Sequence, residues 1–416
     1  MSPPSGAVVL GSDFRALAVV RSLGRRGIPC AVVDNLPRSA WFSRYLAARI
    51  RWRGPMGTPE FGTSLVRWGR ERFRGWVLFP MTDDTVALVA EGRERFQALY
   101  ALTTPSPQAV REVQDKRRLY ALAEELGVPA PRTRYPSGAD ELASLDLPFP
   151  VVVKPANSIA LQAAVRKKAF AARDPGQLLA VYRAAAALVG SEGLMVQELI
   201  PGDGTAQFSV GAFCRDGRCL AAMTVRRRRQ FPVDFGLGSS FVESVEVPEL
   251  IPPALALIER AGLSGMVEVE FKHDPREGRF KVLDVNPRAW GWHGLCQDCG
   301  LDLPYLQYLE ATGAPLPECR LRYGHRWRRL LTDLPAALVE MRNGTLSPLA
   351  YARSFLGPTS RSVLDLHDPL PALGDVAVAV GRLAGIVVPA RHGASPAGGV
   401  PPEAVVSLDG GGAERT

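Results

Sequence analysis

Lysine is scarce in this sequence of 416 residues, which holds six lysines although Lys and Arg together number 50. The net charge of +8 therefore comes almost wholly from arginine, in a chain that also contains 40 Gly and 35 Pro. We interpret the charge as a feature of composition, so a nucleic-acid partner is not favoured. Where a lysine does occur, its compact ammonium charge is a candidate for a chemical role.

Long apolar runs and paired cysteine motifs are also missing. No run approaches the 18 or so apolar residues of a membrane span, and the start, MSPPSGAVVLGSDF, lacks the basic segment of a signal peptide. A cytoplasmic protein is predicted. The six cysteines include Cys296-x-x-Cys299, but no second such pair follows. Reduced cysteines that serve packing are therefore favoured over a zinc or redox site.

The first 105 residues have the pattern of a parallel α/β layer. Buried strands are predicted at Ala7–Leu10 and Ile28–Val33 with an amphipathic helix between them, and a further strand at Trp76–Pro80 continues the layer. Gly11 stands alone where a dinucleotide site would need a glycine-rich turn. An NAD site is therefore not favoured.

A Thr/Pro-rich segment at 103–107 predicts a domain boundary. The strand-rich run 106–314 predicts an α+β domain, and 315–388 predicts a helical extension. Its helices are expected at Trp327–Met341, Pro348–Phe355 and Leu373–Leu383. The tail 389–416, rich in Gly, Ala and Pro, is predicted to be disordered.

Two lysines lie where they could meet an anion. Lys116 begins a predicted helix in VQDKRRLY, and Lys154 ends a strand of three valines in FPVVVKPAN. Compact positive charges of this kind suit nucleotide phosphates, and two surface lysines are the alternative. In LMVQELIPG, the strand end at Gln197 and Glu198 could read an adenine edge, with Asp203 at a ribose hydroxyl. An ordinary strand is the alternative there.

A predicted hairpin, MVEVEFKHDPREGRFKVLDVNPR, carries the acidic residues. Glu268 and Glu270 share one strand face, and Asp284 and Asn286 share a face of the returning strand. Crossing the turn brings Glu270 and Asp284 within reach of each other. Facing carboxylates are costly unless a cation lies between them, and carboxylate and amide oxygens suit Mg²⁺ or Mn²⁺. A solvated face is the alternative.

Arginines and tryptophans lie around this hairpin. Arg288 follows the last candidate ligand by two residues and could hold a substrate carboxylate or an acyl-phosphate oxygen. In the run Arg226–Arg229, alternation predicts that about two side chains enter one cleft and the other two face water. Trp290 and Trp292 could wall an acceptor pocket or pack in the core.

Together these motifs resemble the ATP-grasp superfamily, and within it the carboxylate–amine ligase group related to the carbamoyl-phosphate synthase large subunit. The resemblance covers roughly residues 5–315. It rests on the order of FPMTDDTVAL, DK, VVVKP, VQELIPGDG, RRRQFPVDFGLGSSFVES, VEFK and VLDVNPRAWGWHGLCQDCG. It implies an ATP-grasp architecture, with an N-terminal parallel α/β domain before it and a helical extension after it.

The resemblance also implies the role of each motif. ATP phosphates would be bound by Lys116 and Lys154. The adenine hinge would be formed by Gln197, Glu198, Leu199 and Ile200, with Glu198 or Asp203 at the nucleoside. One or two Mg²⁺ ions would be held by Glu270, Asp284 and Asn286, and Arg288 would act at the reacting carboxylate. Such enzymes convert a carboxylate to an acyl phosphate, which an amine then attacks, so no side-chain nucleophile is required.

Two departures from the family pattern accompany this prediction. Asp284 stands where glutamate is usual, and the loop PANSIALQAAVRKK lacks the glycines that often cover the phosphates, leaving Ser158 with Lys167 or Lys168 to assist. The prediction is an ATP- and Mg²⁺-dependent ligase acting on a small-molecule carboxylate and an amine. A non-catalytic ATP-binding homologue is the alternative, and a basic nucleic-acid-binding protein is less favoured. The prediction allows a homo-oligomeric assembly.

Overall fold

The computed structural model describes residues 6–156, 169–233 and 238–383, which divide into two compact units. Unit 1 contains residues 6–130, 202–231 and 238–383, and unit 2 contains residues 131–156, 169–201 and 232–233. The predicted roles of Ser158, Lys167 and Lys168, and the predicted disorder of 389–416, lie outside the described residues. The predicted domain boundaries after residues 105 and 314 stay predictions.

A parallel sheet opens unit 1, as predicted. Its four strands are ordered β3-β2-β1-β4, and every residue of β1, β2 and β4 is buried. Continuous burial explains why these strands are apolar runs without alternation. The strands are β1 (Ala7–Leu10), β2 (Cys30–Asp34), β3 (Leu46–Arg51) and β4 (Val77–Pro80).

Six helices accompany or follow this sheet. Their starts agree with local capping rules, since Asp13 accepts hydrogen bonds from two backbone amides of α1, and Ser106 and Asp115 cap α5 and α6. The helices are α1 (Phe14–Gly24), α2 (Pro59–Glu71), α3 (Asp83–Glu91), α4 (Arg93–Gln97), α5 (Pro107–Gln114) and α6 (Lys116–Glu125).

Unit 2 contains a four-stranded antiparallel sheet, ordered β5-β8-β6-β7, with a helix packed on it. The valines predicted as a strand lie in this sheet, and Val151 and Val153 are fully buried beside Tyr182 of the helix. The elements are β5 (Thr133–Arg134), β6 (Val151–Pro155), β7 (Phe170–Ala172), α7 (Pro175–Val189) and β8 (Leu194–Glu198).

A seven-stranded sheet fills the rest of unit 1, in the order β13-β12-β9-β10-β11-β14-β15. The β9–β10 turn is the two-residue loop Asp216-Gly217, in which both residues have positive φ, as a tight hairpin requires. The elements are β9 (Gln207–Arg215), β10 (Arg218–Phe231), β11 (Gly238–Ser244), α8 (Ile251–Ala261), β12 (Gly265–Asp274), β13 (Arg279–Asn286), α9 (Gly294–Asp298) and α10 (Leu303–Thr312).

The C-terminal part of unit 1, predicted to be helical, also contains two strands. A helix was predicted from Trp327, but β14 (Arg326–Arg328) forms there instead and pairs with β11. Trp327 is buried in the core of unit 1, and that tertiary packing overrides the local helical pattern. The remaining elements are α11 (Leu330–Arg342), α12 (Pro348–Arg353), β15 (Thr359–Arg361) and α13 (Leu370–Leu383).

The mixed α/β and α+β content expected from the sequence is confirmed in this architecture. Among the described helices, none is long and apolar enough to cross a membrane.

Candidate active site

The candidate site lies on the hairpin of β12 and β13. Its antiparallel register places Glu268 opposite Asn286 and Glu270 opposite Asp284. The predicted pairing of the two acids across the hairpin is thus confirmed. It follows from period-two alternation, because residues in register on paired strands project from the same face of the sheet.

Three of these side chains form one hydrogen-bonded cluster. The Asn286 Nδ2 atom donates to Glu268 Oε2 and to Glu270 Oε1, both at 3.0 Å. Glu268 also accepts from Trp292 Nε1 at 2.7 Å, and Glu270 lies 3.3 Å from Arg227 Nη2. Glu268 was not predicted as a site residue. Its shared face with Glu270 was the sequence signal that could have identified it.

The charge of this cluster is incompletely compensated. Burial, and then the neighbouring charge of Glu270, raise the pKa of Glu268 to about 8. A divalent cation would relieve that repulsion, and the carboxylate oxygens of Glu268 and Glu270 are ligands of the kind that Mg²⁺ prefers. Asn286 presents its amide nitrogen to these acids and its Oδ1 atom to Arg288. Within the described ranges no three acidic, histidine or cysteine side chains converge as a complete metal site. The two carboxylates therefore fit an ion whose other ligands would be water, nucleotide phosphates and, after rotation of its amide, Asn286 Oδ1.

Asp284 has a different partner from the other acids. Its carboxylate forms an ion pair with the Nζ atom of Lys116, the first residue of α6. Asp284 Oδ1 also accepts from the amide of Val285 at 2.9 Å. The structure thus brings together one predicted phosphate lysine and one predicted metal ligand, residues 168 positions apart in the chain.

Arg288 completes this side of the site. Its Nε and Nη2 atoms donate to the two carboxylate oxygens of Asp83 at 2.7 and 2.9 Å, and Nη2 also donates to Asn286 Oδ1 at 3.1 Å. The Nη1 atom donates to the carbonyl oxygen of Ala289 at 3.3 Å. Asp83 was not among the predicted site residues, and nothing in its sequence neighbourhood points to Arg288.

Asp203 lies at the edge of an open cavity of about 480 Å³ within unit 1. Its carboxylate accepts from the amide and the hydroxyl of Thr205, at 2.8 and 2.6 Å. The cavity is also lined by Phe208 and Phe280, whose rings stack edge-on, and by Arg226. This combination of an acid, a cation and aromatic rings is consistent with a nucleoside contact.

The four consecutive arginines do not divide as predicted. Arg227 reaches Glu270, but Arg226 donates to the Thr205 carbonyl oxygen and Arg228 pairs with Glu243. Arg229, predicted among side chains that alternate between cleft and water, is buried against Asp333 at 2.8 Å. Register shifts in the β10–β11 pairing around Arg229 break the simple alternation.

Unit 2 carries the remaining predicted residues. Lys154 lies on β6 opposite Met195, and the side chain of Gln197 donates to Thr133 Oγ1 at 2.8 Å. The Glu198 carboxylate accepts from the Arg132 amide at 2.9 Å. Glu198 therefore links the end of β8 to the residue that precedes β5.

The two apolar residues of the predicted hinge follow β8. The Leu199 amide donates to the Pro150 carbonyl oxygen at 3.0 Å. Ile200 is buried beyond this strand. Both residues therefore pack within unit 2, next to the strand end that is predicted to contact adenine.

The tryptophans and cysteines belong to the packing of unit 1. Trp290 and Trp292 are both 2% exposed, and their ring centroids lie 5.1 Å apart, so the core-packing alternative describes them. Cys296 and Cys299 are free and buried, which confirms the prediction of packing cysteines. Burial raises the pKa of the Cys296 thiol well above its ordinary range, as expected for an unreactive cysteine.

Known proteins resemble this chain in sequence. A family profile described as "ATP-grasp in the biosynthetic pathway with Ter operon" matches residues 191–328. A D-aspartate ligase of Enterococcus faecium is 25% identical over 298 residues, covering 68% of this chain and 70% of that protein. The C-terminal section of the carbamoyl phosphate synthase large chain of Methanopyrus kandleri is 24% identical over 190 residues, covering 44% of this chain and 34% of its own length.

Solved structures share the fold. The biotin carboxylase domain of Hydrogenobacter thermophilus 2-oxoglutarate carboxylase, in complex with MgADP, ADP and bicarbonate, superposes with a TM-score of 0.63 at 14% identity. The superposition covers 78% of this chain and 74% of that one. The chain thus resembles ATP-grasp proteins in sequence and in fold. The family resemblance and the ATP-grasp architecture expected from the sequence are thereby confirmed.

Proposed function

We propose that this ATP-grasp protein is a cytoplasmic ligase that uses ATP with Mg²⁺ or Mn²⁺ to join a small-molecule carboxylate to an amine. Its similarity to a D-aspartate ligase supports an amino acid as one of the two substrates. The observation that carries the proposal is the cluster of Glu268, Glu270 and Asn286, with Arg288 on one side and the Lys116–Asp284 pair beside it.

In unit 1, Glu270 and Asn286 would hold the metal together with Asp284, and Lys116 would bind a phosphate. The bound ion would neutralise the nucleotide phosphates and favour transfer of the terminal phosphoryl group. Arg288 would hold the substrate carboxylate through its guanidinium. In unit 2, the family pattern assigns a phosphate contact to Lys154 and the adenine hinge to the strand end Gln197–Ile200.

The reaction that these residues support has two steps. A carboxylate oxygen attacks the terminal phosphorus of ATP, which forms an acyl phosphate and releases ADP. The amine nitrogen then attacks the acyl carbon, phosphate leaves with the bonding electrons, and the amine loses a proton to water. Neither step needs a nucleophilic side chain, so fixed charges and positioning supply the catalysis.

The proposal is tested by ADP release with a panel of amino acids as acids and amines, in the presence and absence of Mg²⁺. We expect at least one pair to give Mg²⁺-dependent ADP formation. Glu270→Gln should lower that rate by about a hundredfold or more, because the metal loses a charged ligand. The exposed Glu259 on α8 supplies the control, and Glu259→Gln should turn over normally.

Two results would count against the proposal. Tight binding of Mg·ATP without ADP from any pair would favour a nucleotide-binding protein that lacks catalysis. Normal turnover in Glu270→Gln would remove that residue from the metal site.

A further inference from the structure

Hydrogen bonds to neighbouring residues restrict the orientation of the Arg288 guanidinium. Four of its five N–H groups are engaged, two by the Asp83 carboxylate, one by Asn286 and one by the Ala289 carbonyl oxygen. One proton on Nη1 has no acceptor among the residues that the structure describes. Substrate must therefore meet Arg288 through Nη1, unless Asp83 is displaced.

Asp83 is itself held firmly. It is the first residue of α3, directly after Thr82, whose amide donates to Thr85 Oγ1 at 3.0 Å in a capping box. A helix N-terminus favours a negative charge at this position. The carboxylate thus comes from a rigid element of the N-terminal layer, whereas Arg288 follows the hairpin of the large sheet.

The geometry points to Asp83 as a positioning residue that orients Arg288 toward the reacting carboxylate. The bidentate contact fixes the plane of the guanidinium, since two parallel hydrogen bonds define both its direction and its rotation. This inference rests on the proposed function, because it concerns the group that would hold the substrate. The inference gives Asp83, a residue of the N-terminal layer, a role in the proposed ligase reaction.

The ionisation of Asp83 agrees with this role. Burial acts to raise its pKa, but the charge and hydrogen bonds of Arg288 outweigh burial and lower it below the ordinary value. The carboxylate therefore stays charged at neutral pH, and Asp83 orients a cation and does not take a proton from the amine.

The neighbouring acid provides a matched control. Asp84 is also half-buried and lies in the same turn of α3, but it forms no ion pair among those found in the described chain. The variants Asp83→Asn and Asp84→Asn remove the same charge from adjacent positions. Asp83→Glu keeps the negative charge and tests whether a carboxylate at this position restores the turnover that Asp83→Asn loses.

The first measurement needs no substrate. Crystal structures of the ligand-free full-length protein should show the guanidinium displaced by about 1 Å or more in Asp83→Asn, and unchanged in Asp84→Asn. An Arg288 that keeps its position in Asp83→Asn overturns the inference. If that variant does not fold, the same comparison is made with Asp83→Ser, which also removes the bidentate acceptor.

The second measurement uses turnover with the amino-acid pair found active in the panel. Asp83→Asn should lower kcat/KM for the acid by about a hundredfold while KM for Mg·ATP stays within about twofold. Asp84→Asn should match the wild type, and Asp83→Glu should recover part of the loss. Equal losses in both asparagine variants would indicate a merely structural role. A wild-type protein without turnover refutes the proposed function, and the crystal structures still decide the orientation of Arg288.

Discussion

Lowering the pH should destabilise unit 1 through one buried imidazole. His293 is 1% exposed, and its Nε2 atom lies 3.0 Å from the carbonyl oxygen of Arg15. That contact makes Nε2 the protonated nitrogen of the neutral ring. The other nitrogen, Nδ1, is buried without a hydrogen-bond partner among the described residues. A second proton would therefore be placed on a buried atom that faces no acceptor.

The magnitude follows from the pKa. Burial lowers the pKa of His293 from 6.5 to about 4, although the hydrogen bond to Arg15 opposes the shift. Above pH 6.5 the ring is neutral in the folded and the unfolded chain, and it contributes no pH dependence. Between about pH 6.5 and 4 only the unfolded chain binds the proton. The free energy of unfolding then falls by about 1.4 kcal/mol per pH unit, or about 3 kcal/mol in total.

Urea unfolding at about pH 7.5 and 4.5 measures this loss. The wild type should lose about 2.5 kcal/mol more than His293→Gln between these pH values, since carboxylate titration is common to both proteins and cancels. The control is His367→Gln, because His367 is 87% exposed in its side chain and should behave as the wild type. An equal loss in the wild type and in His293→Gln would refute the reasoning.

Two further predictions concern stability and thiol chemistry. Asp333→Ala should lower the free energy of unfolding by about 3–5 kcal/mol, because it leaves two buried guanidinium groups without their shared carboxylate. Glu318→Ala, at an exposed side chain, should change it by less than about 0.5 kcal/mol, and equal effects in urea unfolding would contradict this account. Cys214 and Cys219 are free and directly opposed across the β9–β10 hairpin, so the oxidant diamide should remove two titratable thiols, and Cys219→Ser should abolish that loss. An unchanged thiol count after oxidation would show that the pair cannot close.

The parallel layer and the acidic hairpin could be predicted because their signals are local. Buried strands appear as continuous apolar runs, and alternation along a hairpin fixes which side chains share a face. Glu270 and Asp284 were placed opposite each other on that basis alone, and the register agrees. Glu268 was on the same face and could have been included by the same rule.

The contacts that complete the site could not be predicted in this way. Arg288 and Asp83 are 205 positions apart, and no period or spacing connects them. Arg229 was misplaced because irregular pairing interrupts the alternation of its strand, and Trp327 forms a strand because core packing overrides its local pattern. Such features depend on packing between residues far apart in the chain, which local sequence patterns do not reveal.

The replacement of the usual glutamate by Asp284 has a consistent physical explanation in its pairing with Lys116. Without ligand, the shorter carboxylate and the ammonium neutralise each other. Mg·ATP would bring both a divalent cation and a polyanion. Asp284 would then bind the metal and Lys116 would bind a phosphate, so that neither charge would be left unpaired. Asp284→Asn should therefore weaken Mg²⁺-dependent turnover without unfolding the chain, because the carboxylate is partly exposed and its loss leaves Lys116 able to meet the nucleotide. A variant with unchanged turnover across a titration of Mg²⁺ would show that the metal is held by Glu270 and Asn286 without Asp284.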